Sequence, residues 1–340
     1  MRRQLRCLSR HMPNETIWRC VLKQHGLTMI ELLIAMTLGL FIVLAATGLL
    51  LSSKAGYIVQ DQTAHVQENG RYAMEVLSRA IRQAGHENRD AAETPATTTT
   101  GWSPNVIGMD AATLKKNTAA LDAADPKSAV NGSDVLALRF FGDDSGDGDG
   151  TILNCAGLAV ASPASGETAE HERGWSIFFV ADDAEGEPEL RCKYRTKTGW
   201  NADAIARGVE SFQVLYGVDT NDDGLPDRFV NADAVDALDA QLTLDGENAT
   251  VRLSDLNRRT HWKRIRSVQI AMLVRGTQAA RDDAMSEEYR LFGGAYSSHA
   301  LHDNGTHIQE TSIRPVERNR IRKIFRQTIQ LRNDAAGSGV

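Results

Sequence analysis

Three small sets of residues have types and spacings that could do chemistry. Glu31 is a lone carboxylate at the leading end of a long apolar run, five residues beyond Gly26. Asp219, Asn221, Asp223 and Asp227 put side-chain oxygens at the first, third, fifth and ninth places of one loop, with Gly224 sixth. Cys155 and Cys192 lie in the body of the chain, away from Cys7 and Cys20 near its start.

The oxygen-rich loop begins like a calcium loop, since calcium takes six to eight oxygens and alternating acids around a tight turn supply them. Val230 holds the twelfth place, so the bidentate glutamate of an EF-hand is missing. Carbonyls and water would have to complete the shell. The alternative is an Asp/Asn/Gly hairpin turn between Tyr216 and Phe229. A second acidic stretch, GDDSGDGDG at 142–150, is less regular. No cofactor is required, and calcium is the one candidate ligand. The nine histidines are scattered and form no H-E-x-x-H. With no G-x-S-x-G and no P-loop after a strand, the chain reads as a non-enzyme. Asn131, Asn248 and Asn304 open N-x-S/T triplets and are read as turn residues.

Glu31 needs an element to carry it. Leu32 to Leu51 are twenty residues without a charge or a proline, about 30 Å of helix and thus the thickness of a bilayer's hydrocarbon. The run is too long for a secretory signal, and no small-residue cleavage site follows it. Residues 1–26 carry six basic side chains against Glu15, leaving −11 on the remainder of a chain whose net charge is −6. That asymmetry orients the N-terminus to the cytoplasm. Cys155 and Cys192 then face an oxidising compartment where they can pair, the alternative being two buried thiols. A carboxylate at the edge of such a span costs on the order of 2–3 kcal/mol unless it finds a partner. A cut after Gly26 would supply one: the new α-amine of Leu27 is positive near neutral pH and can pair with Glu31 of a neighbouring parallel copy.

A basic leader, a glycine, four residues, a glutamate and an apolar helix resemble the start of type IV prepilins. Leu27 stands where that class usually has phenylalanine, and the leader is longer than most. The resemblance implies cleavage between Gly26 and Leu27 by a prepilin peptidase, N-methylation of Leu27, and Glu31 setting the stagger between subunits. Further on, QENGRYAMEVLSRAIRQAGH, GVESFQVLYGVDTNDDGLPDRF, WKRIRSVQIAMLVRG and IRKIFRQTIQLRN resemble the PilW group of minor pilins.

The rest of the pattern fits an α+β fold: a long N-terminal helix, transmembrane then amphipathic, packed on an antiparallel β-sheet head. After Ser53, Ala73, Val76, Leu77, Ala80, Ile81 and Ala84 recur at helical steps, and Gly85 marks a stop. Strands are expected at 134–141, 175–180, 190–194, 209–216 and 268–274. The expected divisions are a leader at 1–26, spine-helix halves at 27–52 and 53–86, a loop-rich variable segment at 87–130, and a β-rich head at 131–340. The basic run from Arg314 to Arg332 has both helical and strand periodicity. The family resemblance implies a last strand, whose charges would either guard a sheet edge or meet an acidic partner. Nucleic acid is not expected as a partner.

Together these readings describe a structural assembly protein of 314 residues after cleavage, large for a repeating shaft subunit. The resemblance implies a minor pilin of the tip or priming complex. Its partners would be the peptidase, other minor pilins, the major pilin, a tip adhesin, and inner-membrane lipid before assembly. The alternatives are a type II secretion pseudopilin and a membrane-anchored periplasmic binding module.

Overall fold

A computed structural model describes residues 6–12, 15–21, 28–87, 101–163, 169–281 and 286–333. They fall into two compact units, Met1–Tyr57 and Ile58–Val340.

The first unit holds an antiparallel hairpin, β1 (Arg6–Met12) and β2 (Glu15–Val21), with Cys7 opposite Cys20 in its register. It also holds the beginning of α1 (Met29–Gln83), a helix of 55 residues and so about 80 Å long. The apolar part of α1 reaches a mean hydropathy of 2.5 and buries none of its residues, so it is long and apolar enough to cross a membrane.

In the second unit the remainder of α1 lays a stripe of small and branched residues on two sheets. Val66, Gly70, Ala73, Leu77, Ala80 and Ala84 follow at alternating steps of four and three, and all are buried. Gly70 is there for closeness, because a Cβ at this position would run into the ring of Phe325. Gly85 ends the helix with φ +71°, in the left-handed region that favours glycine. Its N–H donates to the Arg139 carbonyl at 2.8 Å. Gln62 ties the helix to the sheet, its Oε1 accepting from the Gln278 amide at 3.0 Å.

A five-stranded antiparallel meander runs β3 (Val106–Met109), β4 (Val135–Phe140), β5 (Gly174–Asp182), β6 (Pro188–Thr196) and β7 (Gly199–Arg207). A four-residue helix, α2 (Ala169–Glu172), precedes β5. The second sheet has the order β13-β10-β8-β9, built from β8 (Val209–Val218), β9 (Arg228–Val230), β10 (Ile265–Ala279) and β13 (Arg320–Gln330). Between β9 and β10 lie α3 (Ala232–Asp239) and α4 (Ala249–Arg259), capped by the side chains of Asn231 and Asn248. A small ribbon of β11 (Glu288–Arg290) and β12 (His307–Gln309), with α5 (Gly294–His299) between them, completes the unit.

The helix stripe and one face of each sheet share the main core, which includes Leu77, Ile81, Leu136, Phe178, Phe212 and Met272. The opposite faces are covered as well. Leu291, Phe292 and Ile308 close over Leu215 and Leu273 on one sheet. Ala112 and Leu114 close over Ile177 and Phe179 on the other. Double coverage explains why β4 and β8 are buried at every residue and read as continuous apolar runs rather than alternating ones.

Three local expectations differ from this structure. Residues 101–130, expected as loop, supply edge strand β3 and the cover residue Leu114. Residues 88–100 of that segment lie outside the described residues. The stop at Gly85 places the helix end at Gln83 rather than at residue 86. The run from Arg314 becomes strand only at Arg320, and its helical periodicity is overridden by pairing with β10, where Phe325 lies opposite Met272.

Candidate functional site

Thr28 and Glu31 close the start of α1 on each other. The Thr28 amide and hydroxyl both donate to Glu31 Oε2 at 3.0 Å, and the Glu31 amide donates back to the Thr28 hydroxyl at 3.3 Å. This is a capping box, a threonine followed three residues later by glutamate, which satisfies amides that have no partner inside the helix. It is worth about 1 kcal/mol. Both bonds fall on Oε2, so Oε1 keeps its lone pairs for another donor. Sequence reasoning named Glu31 and passed over Thr28, although the T-x-x-E spacing was there to be read. Gly26 and Leu27, the residues flanking the expected cut, lie outside the described residues.

Cys155 and Cys192 are joined by a disulfide, with Cα atoms 5.9 Å apart. The bridge fastens the segment after β4 to β6, and the Cys155 amide also donates to Ser176 Oγ at 2.9 Å. Closing a loop over a separation of 37 residues is worth about 4 kcal/mol in the chain-entropy account.

Asp219, Asn221, Asp223 and Asp227 form the connection from β8 to β9, and most of their oxygens are spent within it. Asp219 Oδ2 accepts from the Gly224 amide at 2.9 Å and from Arg266 Nε at 3.0 Å. Asn221 Oδ1 takes the Asp223 amide, and Asp223 Oδ1 takes the Leu225 amide. Asp227 Oδ2 takes the Thr220 amide at 2.7 Å and its hydroxyl at 2.6 Å. The Thr220 bonds hold the Asp227 carboxyl below the usual carboxylate range. Among the described residues no group of three or more His, Cys, Asp or Glu is placed to hold a metal ion. Of the side-chain oxygens of these four residues, only Asp219 Oδ1 is buried without a hydrogen-bond partner among the described residues. The second acidic stretch is likewise engaged, Asp143 with His86 at 3.3 Å and Asp147 with Lys197 at 2.6 Å.

The basic run at the C-terminal end splits in two. Arg320 pairs with Glu187 at 2.9 Å, and Arg322 pairs with Glu210 at 2.6 Å. Arg318 donates to the carbonyls of Ile313 and Thr311. These belong to a buried network in which Arg275 also meets Glu210 at 3.0 Å and Glu317 at 2.7 Å. Arg326 and Arg332 stay exposed and have no ion pair among the described residues. Guarding a sheet edge therefore describes only part of the run. Arg275 and Glu210 were not legible, because residues distant along the chain supply each one's partners.

Two family profiles match the chain. One, described as Type IV Pilus-assembly protein W, matches residues 177–333. The other, described as the Prokaryotic N-terminal methylation motif, matches residues 22–47. The first match begins in β5, so QENGRYAMEVLSRAIRQAGH lies outside both. Comparison with curated proteins gave no match, and comparison with solved structures gave none either.

Proposed function

We propose, on the premise that this chain is a PilW-family pilin carrying an N-terminal methylation motif, that it works as a minor subunit of a type IV pilus. The chain is a structural pilus component. In the proposed sequence of events it is held in the inner membrane by the apolar part of α1, with residues 1–26 cytoplasmic and the head periplasmic. A prepilin peptidase cuts after Gly26, Leu27 is methylated, and the subunit joins other minor pilins in a priming or tip complex.

The observation that carries this reading is the arrangement at Thr28 and Glu31. The capping box spends Oε2 on the subunit's own helix, and Oε1 takes no described donor. A neighbour's α-amine can bind there without breaking the cap. In the low-dielectric surroundings of packed apolar helices, that pairing relieves the cost of leaving the carboxylate alone. Parallel helices offset by one such contact generate an open filament, not a closed ring. The disulfide between Cys155 and Cys192 supports a head that matures in an oxidising compartment.

The test is Glu31→Gln, which keeps the cap's acceptor and removes the charge. Expected are reduced piliation and loss of co-purification with the other minor pilins, with the helix content of the purified chain unchanged. Undiminished piliation and co-purification would refute the pairing.

A further inference from the structure

The two arginines that the buried network leaves over do not point to unrelated places. Arg326 and Arg332 line a groove of about 900 Å³ together with Arg71, Arg79 and Arg82 of α1, and among the described residues Glu75 is the only acid on its wall. Five guanidiniums thus face one carboxylate, in a chain whose net charge is −6. Arg79 reaches Glu75 at 3.7 Å, while the other four have no ion pair among the described residues. All five are exposed. The groove's apolar lining is Met74, Ile152 and Phe325.

One wall of the groove is a run of strand. Phe325, Arg326 and Gln327 are consecutive residues of β13 and all three line it. Among the described residues β13 pairs with β10 alone and forms the outer edge of its sheet. An edge strand presents a row of N–H and C=O groups that another strand can pair with. Arginines along such an edge repel a second basic strand and attract an acidic one, so the same charges that block self-pairing select a partner.

We propose that this groove seats an extended, carboxylate-bearing segment of a partner protein, which pairs with the free edge of β13 while its acids meet Arg71, Arg82, Arg326 and Arg332. A polypeptide is favoured over nucleic acid because only a polypeptide can use the strand edge. The proposal stands independently of the reading of the N-terminus.

The full-length chain in detergent micelles would be titrated with a fluorescein-labelled peptide of alternating Thr and Glu, read by fluorescence anisotropy. Arg82→Glu, Arg326→Glu and Arg332→Glu combined should weaken binding by about ten-fold or more, and added salt should weaken it too. The three side chains are exposed, so the melting temperature of this variant should match the wild type. Lys115→Glu, Lys116→Glu and Arg228→Glu combined make the same charge change away from the groove and should leave binding intact. The same peptide with alternate amides N-methylated should bind about ten-fold more weakly, because it cannot pair with β13. The proposal is overturned if the groove variant binds the peptide as the wild type does, or if N-methylation has no effect. Tighter binding of an oligothymidine strand than of the peptide would also overturn it.

Discussion

Glu210→Gln is the sharpest probe of what holds the head together. The Glu210 side chain is 3% exposed and lies between two guanidiniums, those of Arg275 at 2% and Arg322 at 0%. One carboxylate oxygen meets Arg275 Nη1 at 3.0 Å and the other meets Arg322 Nε at 2.6 Å. At an effective dielectric of about 20, each charge pair at that separation attracts by about 5 kcal/mol. Most of this offsets desolvation. Glutamine keeps the shape and removes the charge, leaving two buried cations short of one anion, and breaking a buried pair in this way costs about 3–5 kcal/mol. For a unit of this size that corresponds to a drop in melting temperature of roughly 10 °C. Thermal unfolding of the full chain in detergent, followed by near-ultraviolet circular dichroism, reads the difference. The network has a pH signature as well. Desolvation pushes the Glu187 and Glu317 carboxyls up, but hydrogen bonds from Arg320 and Arg275 to Glu187, and from Arg275 to Glu317, win and hold both below the usual range. Depressed carboxylates stabilise above their unfolded value and lose that contribution as pH falls through the folded one, so the loss belongs below about pH 4. A Glu210→Gln melting temperature within about 2 °C of the wild type would refute the reasoning.

The remaining predictions concern other parts of the chain. Gly70→Ala gains up to about 1 kcal/mol of helix propensity and loses about 1–3 kcal/mol to the clash with Phe325. A net fall in melting temperature is expected, restored by adding Phe325→Leu; a rise would sink the close-approach argument. Asp110 is pushed up to about 7, first by burial, with Asp303 and Asp233 adding and the amides of Asp233 and Ala232 opposing. A raised carboxyl stabilises most below its unfolded value near 4 and loses that contribution as pH rises through its folded one. Melting temperature should therefore fall more from about pH 4 to about pH 8 in the wild type than in Asp110→Asn, and equal slopes would contradict the assignment. The loop at 219–227 is closed by its own bonds, so melting in millimolar calcium should match melting in a chelator. A calcium-specific rise that vanishes in Asp219→Asn would instead make the orphaned Oδ1 a ligand.

What could be read in advance followed from local patterns. The twenty uncharged residues from Leu32 identify α1 through length alone, and its second half through a buried stripe that recurs at helical steps. DVLALRFF and VESFQVLY are apolar enough to be strands whichever faces are covered. By contrast β7, with the sequence GWNADAIAR, is an edge strand whose Asn, Asp and Ala carry weak strand preference. Leu114 looked like part of a polar connection because only the tertiary fold supplies the sheet face that it covers. The steps of Ala73, Leu77, Ala80 and Ala84 were legible as a stripe, but that Val66 and Gly70 extend it and that Gly70 makes room for Phe325 was not, since Gly70 and Phe325 are separated by most of the chain. The same distance hid Glu210 between Arg275 and Arg322, and with it the division of the C-terminal arginines into buried partners and exposed ones. At the N-terminus the opposite held: Glu31 was conspicuous, while its cap, Thr28, needed only the spacing.

The central claim is that a negative charge at the start of α1 is matched, after processing, by an adjoining subunit's new terminus. Intact-mass and N-terminal analysis of the chain purified from cells with and without the prepilin peptidase tests its first requirement. The account predicts a chain beginning at methylated Leu27 when the peptidase is present and at Met1 when it is absent. A chain that begins at Met1 in both would contradict it.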